Sequence, residues 1–362
     1  MSQLSLQNNF TLPFEGDPHE GTIIELPYRD DTWRCNAKPA LKIFKEIVSI
    51  ISKYEKVFLL ASKQINDDVI NDFRMNNVEI IRADYNDSWA RDNTLLFLSN
   101  GEKRVAVDYG FNAWGGSVDG LYPDYKDDNL LGSKLIDYFK DDSISKKNFI
   151  LEGGSIHSDG EGTLITTEAC LLSKGRNSNL TKEEIEFELK NTLGIKKVLW
   201  IPHGIYNDET NEHIDNMACF LAPGVIAVAT TSDKEDIQYK YSKMAIDYLN
   251  NEVDAKGRKI KIVEIYVPKT LYMTKEESLG LVKSDAIERP VNNRLAGSYI
   301  NFYMSDKFVL VPQFNVSEDK KAISILKEFY PNKDVYGINS REILLAGGNI
   351  HCITMQVPER KR

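Results

Sequence analysis

The chain is poor in cysteine, and its cysteines are not paired by spacing. Cys35, Cys170, Cys219 and Cys352 are scattered over 362 residues without a C-x-x-C pair. That excludes a zinc ribbon on paired thiolates and a small disulfide-stapled scaffold, and it suits reduced thiols in a cytoplasm. Long apolar runs are also missing. No stretch approaches the roughly 18 residues that a membrane span requires, and the first ten residues lack the basic-then-apolar order of a secretory leader. A cytoplasmic protein without membrane contact is expected. Positive charge is in deficit, with 45 Lys and Arg against 54 Asp and Glu, which argues against nucleic acid or an anionic membrane as partner. No G-x-G-x-x-G and no G-x-x-x-x-G-K-[ST] occurs, so a nucleotide cofactor has no support. No Pro-, Gly- or Ser-rich tract breaks the chain, so one continuous domain over 1–362 is expected.

What is present reads as α/β. Amphipathic patterns predict helices over Pro39–Lys56, Asp68–Met75, Asn129–Lys140, Thr181–Leu193, Asp233–Asn250 and Ser317–Tyr330. Thr181 with Glu184, and Ser232 with Glu235, have capping-box spacing. Short apolar or β-branched runs between them predict strands at Thr22–Leu26, Lys56–Leu60, Val78–Arg82, Leu95–Leu98, Arg104–Asp108, Lys197–Ile201, Val225–Ala229, Ile260–Tyr266, Ser298–Met304 and Lys307–Pro312. Two or three strands fall between successive helices, too many for a simple doubly wound sheet. Leu151–His157 and Leu345–His351 share Leu, Gly, Gly, Ile and His at matching offsets. A repeated ββαβ unit around a central axis would explain that echo and bring strand ends from different units to one pocket.

Several segments could carry chemistry. Cys352 follows Gly347-Gly348, and two glycines let a ligand approach the backbone closely, so Cys352 is a candidate nucleophile and Gly348 a candidate substrate contact. The other three cysteines read as small buried hydrophobes. His213 and Asp215, at His-x-Asp spacing, would share one face of an extended strand, the first as general acid and base, the second binding a cationic nitrogen. The acids Asp208, Glu209 and Glu212 nearby could suggest a divalent metal. No second histidine stands at helical i+4 spacing, so no metal is expected. Glu152, after the apolar Phe149-Ile150-Leu151, is costly to bury unless paired, whether by substrate or in a structural ion pair. In Asp87-Ser88-Trp89-Ala90-Arg91-Asp92, Trp89 could stack on a planar cation and Asp92 grip it with two hydrogen bonds. The same residues could equally form a structural Arg–Asp pair beside a core tryptophan. Trp114, beside Gly115-Gly116, lines a substrate loop or packs a turn.

These segments, with Phe111–Gly116, Asp208–Asn216, Ser298–Tyr303 and Gly347–Cys352, resemble the agmatine deiminase family, related to bacterial peptidylarginine deiminases within the guanidine-modifying superfamily. Matches run from Pro18-His19-Glu20 to the last dozen residues. The resemblance implies a five-bladed α/β-propeller of ββαβ units, the pentein fold. It implies hydrolysis of agmatine to N-carbamoylputrescine and ammonia, on the route from arginine to putrescine, without cofactor. Cys352 would be the nucleophile and His213 the acid/base. Glu152, Asp92 and Asp215 would hold the guanidinium beside Trp89. The family also implies a homo-oligomer. Two positions depart from its pattern: Glu212 stands where glycine is usual before the histidine, and Thr94-Leu95 replace Gly-Pro. Other readings are deimination of arginine or a peptide arginine, amidino transfer to an amine, or a polyamine-binding protein without catalysis.

Overall fold

The computed structural model describes residues 9–360. The chain is mixed α/β, built on several small sheets. Five sheets repeat one arrangement: a central strand takes an antiparallel neighbour on one side and, after a crossover containing a helix, a parallel neighbour on the other. Arg104–Gly110 stands between antiparallel Leu96–Ser99 and parallel Asp142–Ile150. Thr163–Thr167 stands between Ile156–Ser158 and Lys197–Ile201 in the same senses. Val225–Thr230 lies between Ala218–Ala222 and Lys261–Tyr266, and Phe308–Gln313 between Tyr303–Met304 and Asp334–Asn339. The fifth sheet joins the two ends of the chain. His19–Glu25 pairs parallel with Lys56–Ala61 and antiparallel with Thr354–Pro358, and Val78–Arg82 adds a fourth strand.

The sequence accounts for this pattern locally. Central strands covered by crossover helices are buried on both faces and so read as continuous apolar or β-branched runs. Arg104–Gly110 and Thr163–Thr167 are buried along their whole length. The crossover helix Lys38–Ile51 buries Phe44, Ile47, Val48 and Ile51, the i, i+3, i+4, i+7 stripe. Pro39 sits in its first turn, where no backbone hydrogen bond is lost. Lys182–Leu193 starts at Thr181 with both halves of the capping box formed, a device contributing about 1 kcal/mol.

Several boundaries differ from the sequence expectations. The helix begun at Pro39 ends at Ile51, not Lys56, because Lys56–Ala61 is claimed by a strand. Ser232–Glu235 caps nothing: the helix there is Ile237–Asn250, and Asp236 accepts from the Gln238 amide as its N-cap. Of Ser298–Met304 only Tyr303–Met304 is strand, because the Ser298 hydroxyl accepts from the Ile300 amide and holds a turn. Cys170 and Cys219 are buried as expected, but Cys35 is exposed. Among the described residues no helix is long and apolar enough to cross a membrane.

Candidate active site

The short segment leading into each antiparallel strand supplies the side chains of one site. Ala90–Asn93 carries Asp92 just before Leu96–Ser99. Glu152 caps the single turn Gly153–Ser155 ahead of Ile156–Ser158. His213 caps the one-turn helix Ile214–Met217, which contains Asp215, ahead of Ala218–Ala222. Asn301 precedes Tyr303–Met304, and Cys352 precedes Thr354–Pro358. The echoed Leu151–His157 and Leu345–His351 occupy this same position in their sheets. His213 and Asp215 are therefore not on a strand. Asp208 breaks the strand reading, because its carboxylate accepts from the His213 amide at 3.1 Å and from Asn216 Nδ2 at 3.0 Å, organising a helical turn.

The five predicted polar residues converge, all buried. Cys352 Sγ lies 3.2 Å from Asn301 Nδ2 and 3.7 Å from Asp215 Oδ2. His213 is held between two carboxylates, with Nδ1 3.9 Å from Asp92 Oδ2 and Nε2 4.0 Å from Glu152 Oε2. Asp92 Oδ1 accepts from the Gly154 amide at 2.8 Å, and Oδ2 accepts from Trp114 Nε1 at 2.9 Å. Asp215 Oδ2 meets His351 Nδ1 at 2.8 Å. Gly154 is required here: a Cβ would stand 2.7 Å from His213 Nδ1 and 2.9 Å from both Asp92 and Asp215.

A pocket reaches this cluster past Asp92 and Cys352, with Trp89, Trp114, Leu121, Tyr122 and Gly348 among its walls. His213, Glu152 and Asp215 adjoin it through those two residues. Trp89 stacks on Trp33 at 5.1 Å, and both indoles donate to the buried Asp87 carboxylate. A Cβ at Gly348 would come within 2.4 Å of the Trp89 ring, so that position admits only glycine beside this wall.

Burial and like charges tune the titrating groups. Burial opposes charge on His213, but Asp92, Cys170 and Glu152 outweigh it and hold the imidazole up at about 10. Burial pushes the Asp92 carboxyl up to about 6, against the pull of His213 and with Asp215 and Glu152 adding to the rise. Burial would raise Asp215 too, yet the hydrogen bond and charge of His351 hold it below its ordinary value. The Cys352 thiol is pushed well up by burial and then by Asp215 and Asp92, against the Asn349 amide and Asn301. A preformed anionic cradle thus surrounds a neutral thiol and an imidazolium. Glu152 Oε1 and Oε2, Asp215 Oδ1 and His213 Nε2 have no aligned hydrogen-bond partner. Buried polar atoms without an aligned partner are free to accept from or donate to a bound molecule.

Glu152 makes the structural ion pair the sequence allowed and also faces the acid–base candidate His213. Arg176 Nε lies 2.8 Å from its Oε1, a close charge contact too poorly angled for a hydrogen bond, while Oε2 faces His213. Arg176 also donates to the Trp114 and Thr210 carbonyls, so one buried guanidinium ties three site segments together. Nothing in Gly175-Arg176-Asn177 distinguishes this arginine from a solvated one. His351 and Asn301 lie in segments singled out from sequence but were assigned no role there. Glu212 faces neither substrate nor solvent alone: its carboxylate accepts from the Gly204 amide at 2.8 Å and lies 3.0 Å from His203 Nδ1. It does so with φ +64°, a conformation that suits glycine. The replacement at Thr94-Leu95 is internal, with Leu95 fully buried and Thr94 donating to the Ala90 carbonyl. Among the described residues two triads of buried donors have metal-compatible proximity, Glu152–Cys170–His213 and Glu15–His157–His351.

The chain is similar along its length to known deiminases. The family model described as Porphyromonas-type peptidyl-arginine deiminase matches residues 11–358. A Listeria monocytogenes serotype 4b (strain F2365) protein provisionally named agmatine deiminase 1 is 45% identical over 98% of both chains. A provisionally named agmatine deiminase of Mycoplasma capricolum subsp. capricolum (strain California kid) is 43% identical over 100% of this chain and 99% of its own. The solved agmatine deiminase of Enterococcus faecalis superposes with TM-score 0.95 at 36% identity, covering 99% of this chain and 98% of that one. A C. jejuni agmatine deiminase, solved as a cysteine-to-serine form with substrate bound, gives TM-score 0.83 at 30% identity over 98% and 97%.

Proposed function

The chain belongs to the Porphyromonas-type peptidyl-arginine deiminase family, and on that premise we propose that it is an agmatine deiminase, hydrolysing agmatine to N-carbamoylputrescine and ammonia. The observation that carries the chemistry is the set of open, buried carboxylate oxygens on Glu152 and Asp215, placed around His213 and Cys352. A planar delocalised cation is the ligand such a set stabilises best. Its central carbon is a poor electrophile, so fixing it against the sulfur supplies most of the advantage.

In this reading Asp92, Asp215 and Glu152 bind the guanidinium, and Trp89, Trp114 and the Gly348 backbone line its pocket. The bound cation offsets the negative charges that keep the Cys352 thiol protonated, and the thiol gives its proton to solvent to leave the thiolate. Sulfur attacks the guanidinium carbon. The tetrahedral adduct collapses as His213 gives its proton to the departing nitrogen, releasing ammonia and leaving an S-alkyl thiouronium. His213, now neutral, takes a proton from water, which attacks the same carbon. Expulsion of the sulfur, with the adduct's hydroxyl proton passing to it, leaves N-carbamoylputrescine and a free Cys352 thiol. The imidazole held at about 10 is charged at neutral pH, as the first proton transfer requires.

The pocket also favours agmatine over arginine. Arg289 is the one cationic side chain among its described lining residues, and Glu209 occupies it through three contacts, Nε–Oε1 at 3.0 Å, Nε–Oε2 at 3.1 Å and Nη2–Oε2 at 2.6 Å. An α-carboxylate entering there would lack a counter-charge, which costs on the order of 10²-fold in kcat/KM or more. The five repeated sheets and the convergence of their leading turns support a five-bladed pentein propeller around one axial site. A single domain, working in the cytoplasm as an assembly of identical subunits, completes the reading.

The test is ammonia and ureido product from purified protein given agmatine, arginine or an arginyl peptide, beside Cys352→Ala. Ammonia from agmatine, lost in the variant, is expected. Hydrolysis that survives Cys352→Ala would remove the thiol mechanism, and no release from any guanidine would remove the deiminase reading.

A further inference from the structure

We propose that Glu152, Cys170 and His213 form a Zn²⁺ site that shuts the acid–base end of the pocket, so that zinc is a reversible inhibitor of this protein. Their donor atoms all lie within 4.8 Å of one another, and all three side chains are buried. They come from three separate segments, which is why local spacing does not reveal the site. Thiolate, imidazole and carboxylate are the donors zinc takes, with a fourth position left for water. In a tetrahedral site such donors stand about 3.4–3.8 Å apart, given zinc's usual bond lengths. His213 Nε2 and Glu152 Oε2 are already at 4.0 Å. Neither atom has an aligned nitrogen or oxygen partner, and the close contact of Arg176 is to the other oxygen of Glu152.

Cys170 takes no bond-making step in the deimination, although it helps to hold His213 protonated. Its sulfur makes a long contact of 4.0 Å to the Thr210 carbonyl and also meets the His213 ring. Its position is nevertheless built. Thr167 accepts from the Cys170 amide and donates to the Glu212 carbonyl at 2.7 Å, tying this cysteine to the residue next to His213. Thr210, whose carbonyl meets the Cys170 sulfur, lines the pocket, so Cys170 lies one residue behind the substrate path. Sulfur and nitrogen donors select zinc over magnesium or calcium. On binding, the Cys170 thiol and the His213 imidazolium each release a proton to solvent, and His213 binds as the neutral ring. Zinc and a guanidinium both need Glu152 and His213, so they exclude each other.

Binding is tested with zinc or cobalt alone and does not depend on which guanidine the enzyme hydrolyses. The Cys352→Ala chain, which lacks the competing nucleophilic thiol, is expected to bind one Zn²⁺ by equilibrium dialysis. With Co²⁺ it should show thiolate-to-cobalt charge-transfer absorption. Both should vanish in Cys352→Ala/Cys170→Ala and in Cys352→Ala/Cys170→Ser, with either double variant sufficient if the other does not fold. A metal signal absent from Cys352→Ala, or surviving in a folded double variant, overturns the site. In the otherwise native enzyme, Cys170→Ala should raise the zinc concentration for half-inhibition about tenfold or more, relative to its own zinc-free rate. Unchanged zinc sensitivity also overturns the proposal, whereas absence of deiminase activity alone leaves the binding result standing.

Discussion

Cys352 is a poor nucleophile until something cancels the charge around it. Burial, Asp215 and Asp92 all favour its neutral thiol, so thiolate character in the free protein is gained only at high pH. Alkylation of Cys352 by iodoacetamide should therefore keep accelerating above pH 9. Asp215→Asn should speed that alkylation at pH 8, by removing the nearest negative charge, while slowing agmatine hydrolysis on the order of 10²-fold or more. If Asp215→Asn slowed alkylation instead, the carboxylate would be assisting the thiolate and the electrostatic reading would be wrong. In the reaction, kcat/KM should climb with pH as the thiol ionises and fall as His213 loses its proton near 10. These limbs belong to the coupled pair rather than to either residue alone.

At the scale of elements, the site is made by five short turns in equivalent places. Each stands where the chain enters an antiparallel strand, and none is long enough to hold itself. They hold one another: the Gly154 amide supports Asp92, Arg176 joins Glu152 to the 114 and 210 loops, and Asp208 shapes the turn of His213. Gly154→Ala is expected to lower kcat/KM by about 10²-fold, because its methyl enters the space between His213, Asp92 and Asp215. Far-ultraviolet circular dichroism should remain that of the parent. A fully active Gly154→Ala would show that the turn yields easily. Sequence anticipated the repeat from the echo of Leu151–His157 in Leu345–His351, but not its wider form. Asp92, His213 and Asn301 occupy the same slot without sharing those letters, since a turn's place in a sheet constrains backbone more than side chain.

Across the whole molecule, a buried polar chain runs behind the nucleophile. His351 joins Asp215 to Glu15, at 2.8 and 2.7 Å, and Arg91 contacts Glu15 at 3.3 Å. Burial opposes the Glu15 charge, but His351 and Arg91 hold its carboxyl far below the ordinary 4.5. A group so depressed stabilises the fold fully above its unfolded value and loses that contribution as pH falls through the folded one. Glu15→Gln should therefore cost about 3 kcal/mol near pH 7, as expected for breaking a buried charged set. The gap in Tm from the parent should narrow as pH drops below 4.5. A gap that widened on acidification would assign Glu15 the wrong sign.

The sequence alone determined what is local or periodic. Apolar stripes marked the crossover helices, β-branched runs marked Val78–Arg82 and Lys197–Ile201 to the residue, and Thr181–Glu184 marked its cap. Resemblance across the whole chain named the residues that could act on a guanidine. Only the tertiary structure decided that Thr354–Pro358 completes the sheet begun by His19–Glu25, that Arg176 lies against Glu152, and that Cys170 faces the acid–base pair. Such partners are far apart in sequence, and their meeting is set by sheet closure and burial, which leave no periodic mark on the residues themselves.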